Sequence, residues 1–212
     1  MSDTVAETLD AAIAVERTSQ RADSWTEGRP IRLHRELRSL CWAIAWQALT
    51  GGDLDQRPDL LDALELDVAA LGRIEGRGLI SLSRRRREAA GRLDSAIAAA
   101  AAGEDERAAI RARLREEPLH VPLTRALLLL GRHAEYESLW HAELDEVLGG
   151  RPVTARDLDA LPYTRSVLER SARFLPAAAI AEASPILVTL GQRWAFRTVP
   201  GHDLRLRPVR RS

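Results

Sequence analysis

Apolar residues in this chain recur every three or four positions almost from one end to the other, and that spacing confines it to packed amphipathic helices. Val5, Leu9, Ala12 and Ile13 set the pattern over residues 3–22. Gly28 and Pro30 break the chain. Leu33, Leu37, Leu40, Cys41, Ile44, Ala45 and Ala48 then carry the stripe through 31–49, with arginines on the opposite face and Gly51-Gly52 at its end. Pro58 lies near the start of a third helix, which runs to about residue 71 and is followed by a loop marked by Gly72, Gly76 and Gly78. An alanine-rich helix is predicted over 83–102, with Gly103 as its stop. Glu104, Asp105 and Glu106 have the sign that favours a helix N-terminus.

In the second half, residues 120–148 read as one long helix closed by Gly149-Gly150. Thr154 can cap a short helix at 155–160, and Pro162 can open another that ends near Pro176. Ser184-Pro185 has the form of an N-cap followed by proline at the first helical position, opening a helix that ends near Gly191. Only the tail alternates, so 194–199 and 204–209 are predicted as two short strands. The expected fold is mainly α: a single helical domain over 1–212 with a small C-terminal β appendage. Its parts are N-terminal helices at 1–115, a central segment at 116–193 and a β tail at 194–212.

A chain of 212 residues can bury a sizeable core, and 45% hydrophobic with 29% charged residues is a globular balance. Its longest apolar stretches, such as 96–102 and 126–130, fall far short of a membrane span. Its 31 basic and 31 acidic residues cancel, which argues against nucleic acid or a membrane surface as a partner; 84–87 and 205–211 are local basic exceptions. Every basic residue is arginine and asparagine is absent, a mark of GC-rich coding. Asp3 and Glu7 stand where a leader would be basic and apolar, so a cytoplasmic location is the default expectation. Cys41 is the one cysteine, which excludes an internal disulfide and a cysteine-built metal cage.

Several constellations have the residue types for chemistry. His133, Glu137 and His141, four apart on the predicted long helix, would share one face and could hold zinc or iron with further ligands; a solvent-exposed charged face has the same spacing. Asp62 and Glu65, three apart among Asp59 and Asp67, could grip Mg²⁺ on a diphosphate, with Arg84 and Arg85 meeting the phosphates. Solvated helix faces are the alternative. Glu117 and the nearby His120 are candidate catalytic residues, with capping or surface roles as the other reading. Trp42, Trp46, Trp140 and Trp194 are expected as core or interface anchors.

The string "RHAEYESLWHAELDEVLGGRPVTARDLDALPYTRSVLE" at 132–169 resembles a segment of the cytochrome P450 monooxygenases. In that family the segment runs from the end of the long central helix into the helix of the E-x-x-R motif. Here "HAELDEVLGGR" followed by "LPYT" and "VLE" carries most of the likeness. "LVTLGQRWAFRTVPGH" at 187–202 resembles the family's last helix and the strands after it. "RLHRELRSLCWAIAWQALTGGDL" at 32–54 is similar to its early helix beneath the oxygen-activating one, and "RRRREAAGRLDSAI" at 84–97 to one of its surface helices.

The resemblance implies a P450-like helical domain, and the departures from it imply that the family's oxygen chemistry is lost. Monooxygenase chemistry needs haem iron held by a cysteine thiolate. The family carries that cysteine in a glycine-rich loop before the last helix, whereas here "RFLPAAAIAEAS" leads straight into "PILVTL". Cys41, on the apolar stripe of an early helix, reads as a buried structural residue. The E-x-x-R pair would fall at Arg170 and Arg173, which have like charges; Glu169 is one residue out of phase, about 100° around the helix. The oxygen-activating threonine would align near Pro118 or Leu119, with Glu117 as the remnant of the acid beside it. The family's tryptophan and arginine that meet the haem propionates would lie upstream of residue 1.

The expected function is that of a haem-free pseudoenzyme with no cofactor, a partner or auxiliary protein in secondary metabolism. Apolar helix faces left uncovered would call for a homodimer or a hetero-complex with a biosynthetic enzyme, such as a glycosyltransferase or a true monooxygenase. The alternative is a repurposed non-redox cyclase or isomerase of terpenoid type, binding an apolar small molecule in the residual pocket with Mg²⁺ as its one cofactor. A third reading, gene decay, sits poorly with intact stripes and caps.

Overall fold

The apolar stripes fold into helices close to where their spacing puts them. The computed structural model describes residues 2–71, 79–115, 119–172 and 175–211. In chain order the elements are α1 (Ser2–Asp23), β1 (Ile31–Arg32), α2 (Leu33–Thr50), α3 (Pro58–Leu71), α4 (Leu79–Ala100), α5 (Glu104–Arg115), α6 (His120–Arg132), α7 (Ala134–Leu148), α8 (Pro162–Ser171), α9 (Ala177–Arg193), β2 (Trp194–Val199) and β3 (His202–Arg210). Short 3₁₀ turns lie at Leu54–Gln56 and Ala155–Ala160. The fold is mainly α with a small sheet, as expected. Among the described residues no helix is long and apolar enough to cross a membrane. The predicted loop at Gly72, Gly76 and Gly78 lies outside the described residues.

Contacts gather into two units, Met1–Ile44 with Pro118–Ser212, and Ala45–Glu117. In the first, α1 packs on α9, and α6 packs on α8 and β2. Trp140, Trp194 and Phe196 are fully buried among Leu33, Leu123, Leu127, Leu187 and Leu190. Trp25 meets Phe196 edge-on with ring centroids 6.3 Å apart. The sheet order is β1-β3-β2, antiparallel throughout, with Thr198 opposite Leu206 and Ile31 on the other side of Leu206. The sheet is thus not purely C-terminal: Ile31 and Arg32, expected inside a helix, add its third strand. In the second unit, α3 packs on α4 and α4 on α5. Leu60, Leu64, Leu93, Ile97, Ile110 and Leu114 are buried there.

Four expectations need correction. The long helix at 120–148 is two helices, because His133 leaves helical angles at φ −127°, ψ 93°. Strand β2 crosses there: a Cβ at Gly131 would lie 3.2 Å from Leu206 Cδ2 and 3.4 Å from the Phe196 carbonyl oxygen. The helix opened by Pro162 stops at Ser171, not near Pro176. Ser184-Pro185 does not begin a helix but lies inside α9, where the Ser184 hydroxyl donates to the Ile180 carbonyl at 2.7 Å. Gly191 does not end one either. A Cβ there would overlap the Trp140 ring and come within 2.9 Å of Leu144 Cδ1, so the missing side chain lets α9 pack against α7.

Candidate functional site

The side chains of α7 show first what this structure does with charge. Glu137 is 3% exposed. Its carboxylate accepts from the Phe196 backbone N–H at 2.6 Å and from the Arg197 guanidinium, which also donates to the Phe196 carbonyl at 2.7 Å. One buried acid therefore ties α7 to β2. Two turns on, Glu143 accepts from the backbone N–H groups of Tyr163 at 2.5 Å and Thr164 at 2.8 Å, and from the Thr164 hydroxyl at 2.8 Å. Trp140 Nε1 donates to that hydroxyl at 3.2 Å. The first turn of α8 is capped by an acid from another helix, since Pro162 at its start supplies no donor and Leu161 before it no cap.

These bonds separate His133, Glu137 and His141, whose spacing had suggested a shared face. His133 sits exposed at the α6–α7 junction, with Nδ1 3.5 Å from Glu135. Glu137 is taken up by β2, and is not on a solvent-exposed face either. His141 stacks on Trp140 with centroids 5.2 Å apart, and its Nε2 is buried without a hydrogen-bond partner among the described residues. Burial, then the nearby Arg211 charge, pushes the His141 pKa below the ordinary imidazole value. Among the described residues no group of three or more His, Cys, Asp or Glu is placed to hold a metal ion.

In the second unit Asp62 is exposed and Glu65 half-buried on α3, while Arg84 and Arg85 are exposed on α4. Arg84 pairs with Glu88 one turn along its own helix, at 3.3 Å. A shallow concavity of about 720 Å³ does lie on this unit, but its wall contains Arg57, Asp59, Glu88, Arg92 and Ser95, and none of the four predicted residues. Arg57 donates twice to Asp59, at 3.2 Å each, and holds that carboxyl below its usual range. Glu117 lies outside the described residues. His120 opens α6 with its ring edge-on to His34, centroids 4.7 Å apart. Cys41 is 2% exposed in the apolar core, and Trp42, Trp46, Trp140 and Trp194 are buried as anchors.

A second concavity, of about 680 Å³, lies between α6 and α8. Leu123, Ala126, Leu127 and Leu130 turn inward on α6, as do Thr164, Val167, Leu168 and Ser171 on α8. Helical periodicity therefore leaves Arg125, Leu129, Arg132, Glu169 and Arg170 facing this groove. Arg170, where the E-x-x-R glutamate would stand, is exposed, and Arg173 lies outside the described residues. Sequence reading gave the groove no role, although its arginines follow the helical repeat.

No family model matches the chain. Over 48 residues it is 52% identical to the cyclooctat-9-en-7-ol 5-monooxygenase of Streptomyces melanosporofaciens, a match covering 23% of this chain and 10% of that enzyme. Over 87 residues it is 39% identical to the cyclooctatin synthase of the same organism, covering 41% of this chain and 18% of that enzyme. In three dimensions it superimposes on the crystal structure of the cytochrome P450DA heme domain with a TM-score of 0.80 and 13% identity, over 98% of this chain and 74% of that one. At so low an identity the superposition speaks for the fold alone.

Proposed function

We propose that this chain, a P450-like helical protein, works without haem as a partner or auxiliary protein of a biosynthetic enzyme in secondary metabolism. One observation carries the reading: α8 ends at Ser171 and α9 begins at Ala177, so residues 172–176 alone join the two helices, and none of them is a cysteine. Haem-based oxygen activation needs an axial thiolate, and the chain's one thiol, Cys41, is enclosed in the apolar core of α2. This donor set supports the reading of a chain that works without haem. The likeness to enzymes whose names contain cyclooctatin and cyclooctat-9-en-7-ol supports a setting in terpenoid-type secondary metabolism. The cyclase reading has weaker support, because Arg84 is engaged by Glu88 and the concavity beside Arg57 and Asp59 has none of the four predicted residues in its wall.

Purified protein is expected to show no Soret band and no carbon monoxide shift after reduction. It is expected to sediment as a dimer or with a co-purifying enzyme. A Soret band that carbon monoxide shifts would overturn the haem-free half. A lone monomer, with no enzyme retained from its own host, would overturn the partner half.

A further inference from the structure

We propose that the groove between α6 and α8 binds a small amphipathic organic anion, a carboxylate or phosphate head on an apolar body. Arg125, Arg132 and Arg170 line it, all three are exposed, and none forms an ion pair among the described residues. Leu128 and Leu129 supply an apolar part of the same lining. The volume of about 680 Å³ is in the range of small-molecule sites.

Charge counting separates this groove from ordinary helix-end decoration. Arg132 and Arg170 stand in the last turns of α6 and α8, where a cation offsets the partial negative charge of a helix end. Two such ends together amount to about one negative charge. Glu169, which lines the groove without pairing to any of the three, adds one more. Three guanidinium groups exceed that sum, so the groove stays positive after both helix ends are satisfied. Arginine also has the matching geometry: its planar fork presents paired N–H donors to two oxygens of one carboxylate or phosphate. An apolar body attached to that head then lies along Leu128 and Leu129. The site does not depend on the haem-free reading, and either can fail alone.

The test is calorimetric titration of the full chain with octanoate, octyl phosphate and inorganic phosphate. At least one octyl ligand is expected to bind saturably, about tenfold tighter than inorganic phosphate, and to weaken as sodium chloride is raised. The tighter of the two assigns the head group. Replacing Arg132→Gln together with Arg170→Gln is expected to weaken binding about tenfold or more. Arg84→Gln with Arg85→Gln, on the other unit, is expected to leave it unchanged. Leu129→Ser is expected to erase the advantage over inorganic phosphate. Because the arginines are exposed, thermal melting will show the variants folded, and Arg125→Gln gives an independent check. No saturable binding of either octyl ligand, or binding that survives the double arginine variant, overturns the proposal.

Discussion

The α7–α9 region and the α3–α4 pair use charge in opposite ways. In the first, carboxylates leave water to hold backbone: Glu137 is 3% exposed and takes the Phe196 amide, and Glu143 caps α8. In the second, acids and arginines meet on the surface, as in Arg84–Glu88 with side chains 79% and 54% exposed. A charge-assisted bond made away from water fixes which elements meet and in what register, because leaving its partner unpaired is costly. An exposed pair exchanges one hydrated state for another and fixes little. The two regions should therefore answer very differently to single substitutions.

The largest expected effect tests whether packing or polar bonding leads in the α7–α9 region. Trp140 is fully buried, fills the space left by Gly191, and donates to Thr164. Trp140→Ala is expected to lower stability by roughly 3–5 kcal/mol, read as a drop in urea midpoint with an unchanged slope. Next comes Glu137→Gln. The amide keeps the shape but loses the charge that Arg197 and the Phe196 N–H face, so a loss of roughly 2 kcal/mol is expected. Arg197 is half-exposed and recovers water, which keeps the figure below that of a fully buried pair. Faster hydrogen exchange at the Phe196 amide would locate the damage; a loss under about 0.5 kcal/mol would show that this acid is no anchor.

Helical periodicity made the stripes readable, and the strand alternation of the tail placed β2 and β3. It did not place the bonds between elements. Glu137 and Phe196 are 59 residues apart, Glu143 and Tyr163 are 20, and a repeat of three and four carries no information at those separations. The same local logic misread Gly191 and Pro185, since glycine and proline mark helix ends in isolation but can serve packing inside a buried helix. His133, Glu137 and His141 had the spacing of a shared face, yet the break at His133 and the pull of β2 on Glu137 separate them. Cys41 was legible as core because it falls on the α2 stripe.

One local signal was only half used. Thr154 was expected to cap a turn, and the structure adds its partner: Asp157 accepts from the Thr154 N–H at 2.9 Å and from its hydroxyl at 2.7 Å. Arg151 then holds Asp157 from outside with bonds of 2.7 and 2.6 Å, and keeps its carboxyl well below the usual carboxylate range. Asp157→Asn is expected to lose about 1 kcal/mol at neutral pH. A depressed acid stabilises the fold above its unfolded pKa and loses that contribution as pH falls through the folded value. The gap between wild type and variant should therefore be full at pH 7 and narrow below about pH 4. A gap that does not change with pH would mean that shape, not charge, makes the cap.

Arg84→Ala on α4 is expected to have the smallest effect, and it most sharply tests the contrast. Arg84 Nε stands 3.3 Å from Glu88 Oε1, a contact that would count as an ion pair in any census. Both side chains keep most of their hydration, so forming the pair gives little attraction and costs side-chain freedom, and added salt screens what remains. No measurable shift in the urea midpoint is expected, at low or high sodium chloride. If the midpoint instead fell as far as in Asp157→Asn, and recovered with neither salt nor pH, exposure would be the wrong criterion for ranking these charges. The α3–α4 surface would then have to be held by its ion pairs as firmly as α7 is held by its buried acids.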